Sequence, residues 1–423
     1  MTSEQYGIKL RVHEEKEALS ILDGQSKICN WLYNYLLEKA SNYKKEFRKG
    51  NKEVGKTLYT KRGLRNLLPE IKKEHPFLKV VHSSPLKNTA LRCSEAIRAY
   101  QNSKSGKRKG KAMGWPKFRS CKRDWFSLFY DEPTKGFRLE GDRLILSLGM
   151  GEDRKQRSLE LILSDVHLLE GKTIRNLRIV SELGLYYAVF TVQREKRPVK
   201  AVKKVIALDP NHKNFAYGVG TDGQGIEIAS PHWLKTYDKR IDELKSRRDR
   251  CNKKAKKIEL PSKKTIALPS KEWQKRNKTL QRALHKRREQ TKTFMFTTAH
   301  LLFKEYDCVA IGDYAPDGTG DYKRMRRAMN NRSLIGRFKK VASWVGQKTG
   351  KMYLEFDERR TTKTCHKCQV AVEGGLPPKI RQWRCTHCQA FHIRDENAAI
   401  NGLGKVLRDL ATKCESNLSH IVS

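Results

Sequence analysis

Four cysteines near the carboxyl end of the chain have the spacing of metal ligands. They form two Cys-x-x-Cys pairs with sixteen residues between them, and they are Cys365, Cys368, Cys385 and Cys388. Two such pairs are typical of a structural zinc site, in which four thiolates complete the tetrahedron and leave no position for a substrate. The spacing therefore predicts one zinc ion in a small ribbon, with four free thiols as the alternative. A glutamine follows each pair, at Gln369 and Gln389, where ribbons often have a glycine.

Acidic residues stand where predicted strands end and where a late helix begins. Asp209 ends the strand VIAL, Asp313 follows CVAIG, Asp357 and Glu358 follow KMYLEF, and Asp395 lies in the first turn of the last helix. Carboxylate oxygens suit Mg²⁺, and two such ions can activate a water and stabilise the leaving oxygen of a phosphodiester. Each acid taken singly also fits a turn, a helix cap or an ion pair with a neighbouring arginine.

A segment at 103–123, SKSGKRKGKAMGWPKFRSCKR, mixes cations with aromatic residues. Cations neutralise phosphates, and aromatic rings stack on unpaired bases. Eight of its residues are predicted to contact nucleic acid: Lys107, Arg108, Lys111, Trp115, Lys117, Arg119, Lys122 and Arg123. The alternative is a solvated loop with an aromatic residue anchored in the core.

The net charge of the chain is strongly positive. Its 423 residues include 89 lysines and arginines against 46 aspartates and glutamates, a balance of +43. Such a protein repels itself, so we expect a polyanion as partner. No apolar run approaches the roughly 18 residues of a spanning helix, and the start of the chain lacks the layout of a signal peptide. We therefore expect neither membrane insertion nor secretion, and the six scattered cysteines indicate a reducing compartment.

The first half of the chain is predicted to be a β domain interrupted by helices. Residues 5–13 alternate like a strand, helices are predicted at about 16–48 and 84–102, and a short helix between them should stop near Pro69. Five short strands separated by Gly and Asp turns are predicted within 117–198: WFSLFY, GFRLEG, RLILSLG, LELILS and LYYAVFTVQRE. These elements indicate a small barrel or sheet with a helical insert.

The second half alternates strands with helices. A strand and a hairpin begin at 205, and the later elements are basic helices at 235–258 and 271–306, a strand at 308–312, a helix at 332–349, the strand KMYLEF and a helix from about 395. This is the order of a ribonuclease-H-like sheet, which holds two divalent ions with acids from strand ends and a late helix. The long basic helix should bury one seam, formed by Leu280, Leu284, Thr291, Met295, Thr298 and Leu302.

Several of these segments resemble the TnpB family of RNA-guided nucleases, together with the eukaryotic Fanzors and the type V CRISPR effectors. VIALDPNHKNFAYG resembles the first RuvC motif, RRTTKTCHKC…WRCTHC resembles the ribbon motif, and RDENAAINGL resembles the third RuvC motif. The resemblance covers most of the chain and is most specific over 205–403.

One motif departs from the family. Gly312 ends the strand CVAIG at the position where the family has its second catalytic glutamate, and glycine has no side chain that could bind a metal. Some relatives are similar in carrying a relocated glutamate just before the ribbon's Thr-Ser, and Glu358 has that position, three residues ahead of Thr361. In a sheet of this type the strand before the ribbon runs parallel beside the Gly312 strand, about 4.8 Å away. Met352 and Phe356 alternate toward one face, and Glu358 continues that parity.

The resemblance implies a set of site residues and a division into domains. The implied magnesium ligands and catalytic residues are Asp209, Glu358 and Asp395, with Asp313 and Asp357 as second choices. The implied fold is α+β and multidomain: a wedge-type β-barrel domain (1–15 and 115–200), a helical recognition insert (16–114), a RuvC-like ribonuclease-H-like α/β domain (201–362 and 391–412), a zinc ribbon (363–390) and a tail (413–423).

The implied function is that of an RNA-guided DNA endonuclease. Its guide RNA, from a mobile element or a CRISPR locus, would pair with one strand of double-stranded target DNA, with two Mg²⁺ and one structural Zn²⁺ as cofactors. Because of Gly312, the first alternative is a nuclease-inactive, repressor-like RNA-guided DNA-binding protein. A zinc-ribbon DNA-binding factor without RNA would explain the charge and the cysteines but not the split nuclease motifs. We expect no small-molecule ligand, and a cytoplasmic or nucleoid location in a prokaryote or a nuclear one in a eukaryote.

Overall fold

The structure is a computed structural model that describes most of the chain. The residues outside it are 1–2, 14–15, 109, 120–124, 152, 154, 196, 199, 212–213, 232, 260–264, 315–333, 378 and 420–423, together with the side chains of 3, 266 and 413–419. Two predicted nucleic-acid contacts, Lys122 and Arg123, therefore lie outside the described residues. The chain forms two compact units, Met1–Glu195 and Lys196–Ser423.

The α-helices of the first unit lie between its first and second strands. They are α1 (Lys16–Arg48), α2 (Val54–Tyr59), α3 (Gly63–Asn66), α4 (Leu68–Glu74) and α5 (Ser83–Lys104). The two long helices confirm their predictions. A short helix, α3, does end at Asn66, close to the predicted stop near Pro69. A further helix that was not predicted begins at Leu68, with Pro69 in its first turn, because proline lacks only an amide that the first helical turn leaves unbonded.

The strands of the first unit form two antiparallel sheets. They are β1 (Ser3–Arg11), β2 (Ser127–Tyr130), β3 (Phe137–Glu140), β4 (Arg143–Met150), β5 (Gln156–Ile162), β6 (Thr173–Glu182) and β7 (Leu185–Glu195). The orders are β1-β7-β6-β2 and β3-β4-β5, so the described strands do not close into the expected barrel. Strand β6 was missed because a register shift between Ile174 and Asn176 breaks its two-residue alternation. One hydrophobic core joins the sheets to α1 and α5.

A five-stranded sheet organises the second unit. The strands of this unit are β8 (Val205–Pro210), β9 (Ala216–Gly220), β10 (Gly225–Ile228), β11 (Lys256–Glu259), β12 (Thr265–Leu268), β13 (Cys308–Gly312), β14 (Met352–Phe356), β15 (Gln382–Arg384) and β16 (Phe391–Ile393). The sheet order is β10-β9-β8-β13-β14. Strands β8, β13 and β14 are parallel, and β9 is antiparallel to both its neighbours. The predicted parallel pairing beside Gly312 is confirmed, with Gly312 opposite Phe356.

Helices cover both faces of this sheet. They are α6 (Trp233–Asp249), α7 (Lys271–Glu305), α8 (Ile335–Thr349) and α9 (Arg394–Ser419). Residues of α7 and α8 share a core with one face, and residues of α9 share a core with the other. Because β8 and β13 are buried on both faces, their sequences are apolar runs without alternation.

Two predictions about the basic helices have different outcomes. The prediction of a helix over 235–258 is wrong beyond Asp249, because residues from 256 pair with β12 in a hairpin. The seam of α7 is largely confirmed: Leu280, Thr291, Met295 and Leu302 are buried, and Leu284 and Thr298 are half-buried. No helix in the described part of the chain is long and apolar enough to cross a membrane.

Candidate active site and metal centres

Strand periodicity directs the site residues to the α9 side of the sheet. Ala207 in β8 and Ala310 in β13 both pack in the core beneath α9. Side chains two residues apart on a strand face the same way, so Asp209 and Gly312 share that face. The carboxyl ends of parallel strands meet at one edge, which brings these positions together with the end of β14.

Asp209 is a nearly buried acid, with 6% of its surface exposed. Burial raises the pKa of Asp209 well above its ordinary range, and the negative charges of Glu358 and Asp395 add to this shift. Arg394 and Arg381 act in the opposite direction. The three predicted acids therefore interact electrostatically, as ligands of shared cations would.

Glu358 fills the space that Gly312 leaves open. A Cβ atom at Gly312 would overlap the Glu358 side chain, from Cγ to Oε1. Oε1 is buried and has no hydrogen-bond partner. Burial raises the pKa of Glu358 to about 7, although a backbone hydrogen bond from Tyr314 lowers it. A buried carboxylate oxygen without a partner is unfavourable unless a cation binds it, so this arrangement fits a metal ligand.

Asp395 begins the helix on the other side of the site. It lies in the first turn of α9, where the helix dipole favours an acid. Its carboxylate is paired with Arg381, which belongs to the ribbon just before β15. The amide of Arg394 also donates to the carbonyl of Arg381 at 2.8 Å. Sequence reasoning missed Arg381, because its contact exists only once the ribbon folds back on α9.

The two second-choice acids have other contacts. Asp313 Oδ1 accepts the amide of Glu358 at 3.1 Å, so Asp313 shapes the turn that presents Glu358. Asp357 accepts the amide of Arg359 at 2.9 Å, and its Oδ1 lies 3.6 Å from the Arg359 Nε. Arg359, which with Arg360 was an alternative partner for Glu358, therefore pairs with Asp357 instead.

The four cysteines come together as predicted. All four Sγ atoms lie within 4.8 Å of one another, and no other group of three or more Cys, His, Asp or Glu ligands among the described residues is as compact. This donor set and spacing fit one tetrahedral zinc ion. Buried His392 lies beside the cluster, with Nε2 at 3.1 Å from Cys365 Sγ.

The turn that follows each Cys-x-x-Cys pair, here called a zinc knuckle, has the usual ribbon conformation although it contains no glycine. Gln369 and Gln389 have φ values of 59° and 61°, in the left-handed region that glycine usually occupies. Each side-chain amide donates to a carbonyl of its own knuckle, to His366 O at 2.8 Å and to Thr386 O at 3.1 Å. These hydrogen bonds offset part of the backbone strain.

The basic segment divides into an exposed part and an anchored part. The exposed cations are Lys107, Arg108, Lys111 and Lys117. Trp115 is half-buried: its Nε1 lies 3.3 Å from Ser41 Oγ, and its ring contacts Tyr100 at a centroid distance of 5.2 Å. Trp115 is therefore anchored in the core, as the alternative of a solvated loop with one anchored aromatic residue expects. Phe118, by contrast, is 58% exposed.

Arg119 joins the same segment to α1. Its Nη1 donates to Asn30 Oδ1 at 2.8 Å, and its amide donates to Asn34 Oδ1 at 2.7 Å. Its guanidinium carbon lies 3.9 Å from the centroid of the Tyr33 ring. The Arg119 guanidinium therefore already has partners within the first unit.

Comparison with known proteins gives matches to compact RNA-guided nucleases. A family model described as Cas12f1-like, TNB domain, matches residues 336–402. Two curated Mycobacterium tuberculosis proteins, each named as a candidate RNA-guided DNA endonuclease, are 24% identical over 322 residues, covering 72% of this chain and 65% of theirs. The chain thus spans just under two thirds of the length of these relatives.

Solved structures share the fold at low sequence identity. A Cas12f1 structure in complex with sgRNA and target DNA has a TM-score of 0.57 and 12% identity, covering 94% of this chain and 98% of that one. CasPhi-2 (Cas12j) bound to crRNA has a TM-score of 0.51 and 10% identity, covering 95% and 98%. The chain therefore has a mixed α/β multidomain fold like that of compact Cas12 effectors. Its resemblance to the TnpB-like RNA-guided nucleases is confirmed.

Proposed function

We propose that the chain is an RNA-guided DNA endonuclease that cuts target DNA in one RuvC-like site by two-metal hydrolysis. The observation that carries the proposal is Glu358, whose unpartnered carboxylate oxygen lies in the space beside Gly312. Its charge also raises the pKa of Asp209. Glu358 can therefore supply the acid that Gly312 cannot.

The sheet supports a ribonuclease-H-like assignment for the second unit. Its first three strands form an antiparallel meander, and two further strands run parallel to the first, with helices between them. This arrangement is the one the element order predicts, and it sets Asp209 and the Glu358 segment at one edge. The five-part division into wedge, insert, split nuclease domain, ribbon and tail belongs to the same proposal.

The proposed Mg²⁺ ligands are Asp209, Glu358 and Asp395. When bound, a pair of Mg²⁺ ions would activate a water and stabilise the leaving oxygen of the phosphodiester. Asp209 and Asp395 are each 6% exposed, so little water screens their attraction for cations. Asp313 holds the amide of Glu358 and acts as a positioning residue.

Guide RNA and double-stranded DNA are the proposed partners. The matched relatives are named for RNA-guided DNA cleavage, and the Cas12f1 neighbour was solved with sgRNA and target DNA. The net charge of +43 fits two polyanionic partners. A mobile element or a CRISPR locus would supply the guide.

Loss of Glu358 tests the proposal. Glu358→Ala should lower cleavage by roughly a hundredfold or more while guide-dependent DNA binding stays nearly intact, because base pairing does not depend on this side chain. Asp209→Ala and Asp395→Ala should behave in the same way. Asp313→Ala should have a smaller effect, and Asp357→Ala is the matched control, an exposed acid of equal charge one residue away. The measurement is a cleavage assay beside a binding assay, with Mg²⁺ and the copurifying RNA.

The same assays separate the alternatives. Wild-type protein that binds guided target but never cuts would identify a repressor-like protein, the reading that Gly312 favours. A Glu358→Ala variant that cuts at the wild-type rate, beside an inactive Asp357→Ala or Asp313→Ala, would show that the ligand is misassigned. Sequencing the copurifying RNA should give a defined scaffold with a variable end, whereas random RNA would favour a DNA-binding factor without a guide.

A further inference from the structure

The segment that carries Glu358 has little backbone pairing of its own. Residues 359–363 form turns between β14 and the first zinc knuckle, closed by the amides of Thr361 and Thr364, and only Thr364 joins a bridge, to Ala371. A metal-ligating carboxylate must be held to within about half an ångström of its productive position. Something outside the segment must therefore hold it.

Side chains of α9 donate hydrogen bonds to the backbone carbonyls of this segment. Asn397 Nδ2 donates to Thr361 O at 3.2 Å and to Thr364 O at 2.8 Å. Asn401 Nδ2 donates to the same two oxygens, at 2.9 and 2.7 Å. Lys405 Nζ donates to the carbonyls of Asp357 and Arg359, both at 2.8 Å, on either side of Glu358.

The spacing of these side chains lets α9 position two of the acids, Asp395 and Glu358. Asn397, Asn401 and Lys405 are four residues apart, so they form one stripe along α9. Asp395 begins the same helix, whose Ala399 packs against the sheet. A rigid helix that bears one acid thus fixes the backbone of the next.

Several contacts join the zinc ribbon to the same helix. The amide of His366, between the first two cysteines, donates to Asn397 Oδ1 at 3.0 Å. Arg381, from the far side of the ribbon, pairs with Asp395 and accepts the amide of Arg394. Structural zinc sites contribute folding energy, so loss of zinc should release these contacts.

We propose that Asn397, Asn401 and Lys405 are positioning residues that hold Glu358 for metal binding, and that the zinc ribbon supports the carboxylate site through Asn397 and Arg381. This inference rests on the proposed function, because it assumes that the acids bind divalent ions. It assigns the ribbon a second role beyond its own fold: zinc loading raises the affinity of the neighbouring site for Mg²⁺.

The test is Mn²⁺ affinity, since carboxylates that bind Mg²⁺ also bind Mn²⁺. Binding is measured by titration calorimetry or electron paramagnetic resonance on the full chain, with Asp209→Ala defining the signal from this site.

Asn401→Ala and Lys405→Met should each raise the Mn²⁺ dissociation constant roughly tenfold or more, because loss of a residue that orients a metal ligand typically lowers metal affinity by that factor. Lys405→Arg, which keeps a donor, should restore most of the affinity. Thermal unfolding and zinc content should stay as in the wild type, which separates positioning from a folding defect.

Matched variants control for charge and for thiol loss. Arg408→Met removes an exposed cation from the next turn of α9 and should leave Mn²⁺ affinity unchanged. Cys365→Ser/Cys385→Ser should lose zinc and weaken Mn²⁺ binding, whereas Cys251→Ser should do neither.

Two different results would overturn different claims. If wild-type protein shows Asp209-dependent Mn²⁺ binding that Asn401→Ala and Lys405→Met leave within twofold, the positioning role is wrong and the nuclease proposal stands. If wild-type protein shows no such binding, the nuclease site itself is wrong, and the inference fails with it.

Discussion

Gly312 and Glu358 share one volume at the edge of the sheet. Any side chain at Gly312 would meet the Glu358 carboxyl, and Glu358 can reach that place only because glycine lacks a Cβ atom. The two positions lie on neighbouring parallel strands or just beyond them. An acid can therefore come from either strand, but not from both at once.

Exchanging the two residues tests this shared volume. Gly312→Glu alone should abolish cleavage, because the new side chain overlaps Glu358 and adds a like charge. Gly312→Glu combined with Glu358→Ala opens the space again and should cut at least tenfold faster than either single variant. The measurement is single-turnover cleavage, with Gly336→Glu as the control because open space surrounds that glycine. A double variant no faster than Glu358→Ala would contradict the shared position.

The pKa of Glu358 predicts how stability changes with pH. Burial raises this pKa from its ordinary value of 4.5 to about 7. A carboxyl whose pKa is raised on folding stabilises the protein fully below its unfolded pKa, and this contribution is lost as the pH rises through the folded pKa. Zinc-loaded, Mg²⁺-free protein should therefore lose stability relative to Glu358→Gln between about pH 5 and about pH 8. Thermal unfolding of both proteins across that range is the measurement. A constant difference would show that Glu358 titrates normally, and added Mg²⁺ should restore more stability at the higher pH.

Strand periodicity predicted part of this site but not all of it. The alternation of Met352 and Phe356 predicted the face of the sheet on which Glu358 should lie. Both residues do pack in the core under α9. No spacing could indicate that Arg381 meets Asp395, or that Lys405 reaches the carbonyls around Glu358. Those contacts depend on how the ribbon and α9 fold against each other.

At the scale of elements, the ribbon should contain one zinc ion. Metal analysis of purified protein should find about one equivalent, and Cys365→Ser/Cys385→Ser should contain none, because two thiolates cannot complete the tetrahedron. Cys251→Ser should keep its zinc, since Cys251 lies in the linker after α6 and far from the cluster in sequence. Wild-type protein without zinc would show that the ribbon prediction is wrong.

Long periodic elements were predictable, and interrupted ones were not. Helices α1, α5 and α7 follow apolar stripes and begin and end close to their predicted residues. Strand β6 escaped prediction because its register shift breaks the alternation, and the helix predicted beyond Asp249 gives way to a hairpin. All four residues of the hairpin strand Lys256–Glu259 are exposed, so its sequence lacks an apolar pattern that could distinguish it from a basic helix.

At the scale of the whole molecule, the charge dominates the expected behaviour. A balance of +43 cannot be neutralised by internal ion pairs, because basic residues exceed acidic ones by nearly two to one. Exposed cations such as Lys111 and Lys117 remain to neutralise phosphates, whereas Arg119 is bound to Asn30 and Asn34. Affinity for nucleic acid should come mainly from released counterions.

Affinity for the proposed guide RNA should therefore fall steeply with salt. If the protein neutralises six to ten phosphates, binding should weaken roughly a thousandfold or more between about 50 and about 200 mM salt. Lys111→Ala and Lys117→Ala should each lower the slope of log affinity against log salt by about one, because each lysine is predicted to neutralise one phosphate. Arg119→Ala should change that slope little and lower thermal stability instead, since it removes the Nη1 hydrogen bond to Asn30 and the guanidinium contact with the Tyr33 ring. Filter binding over a salt series, beside thermal unfolding, measures both effects. A flat salt response would contradict a charge-driven interface, and an Arg119→Ala slope as reduced as that of Lys111→Ala would show that Arg119 leaves α1 to bind phosphate.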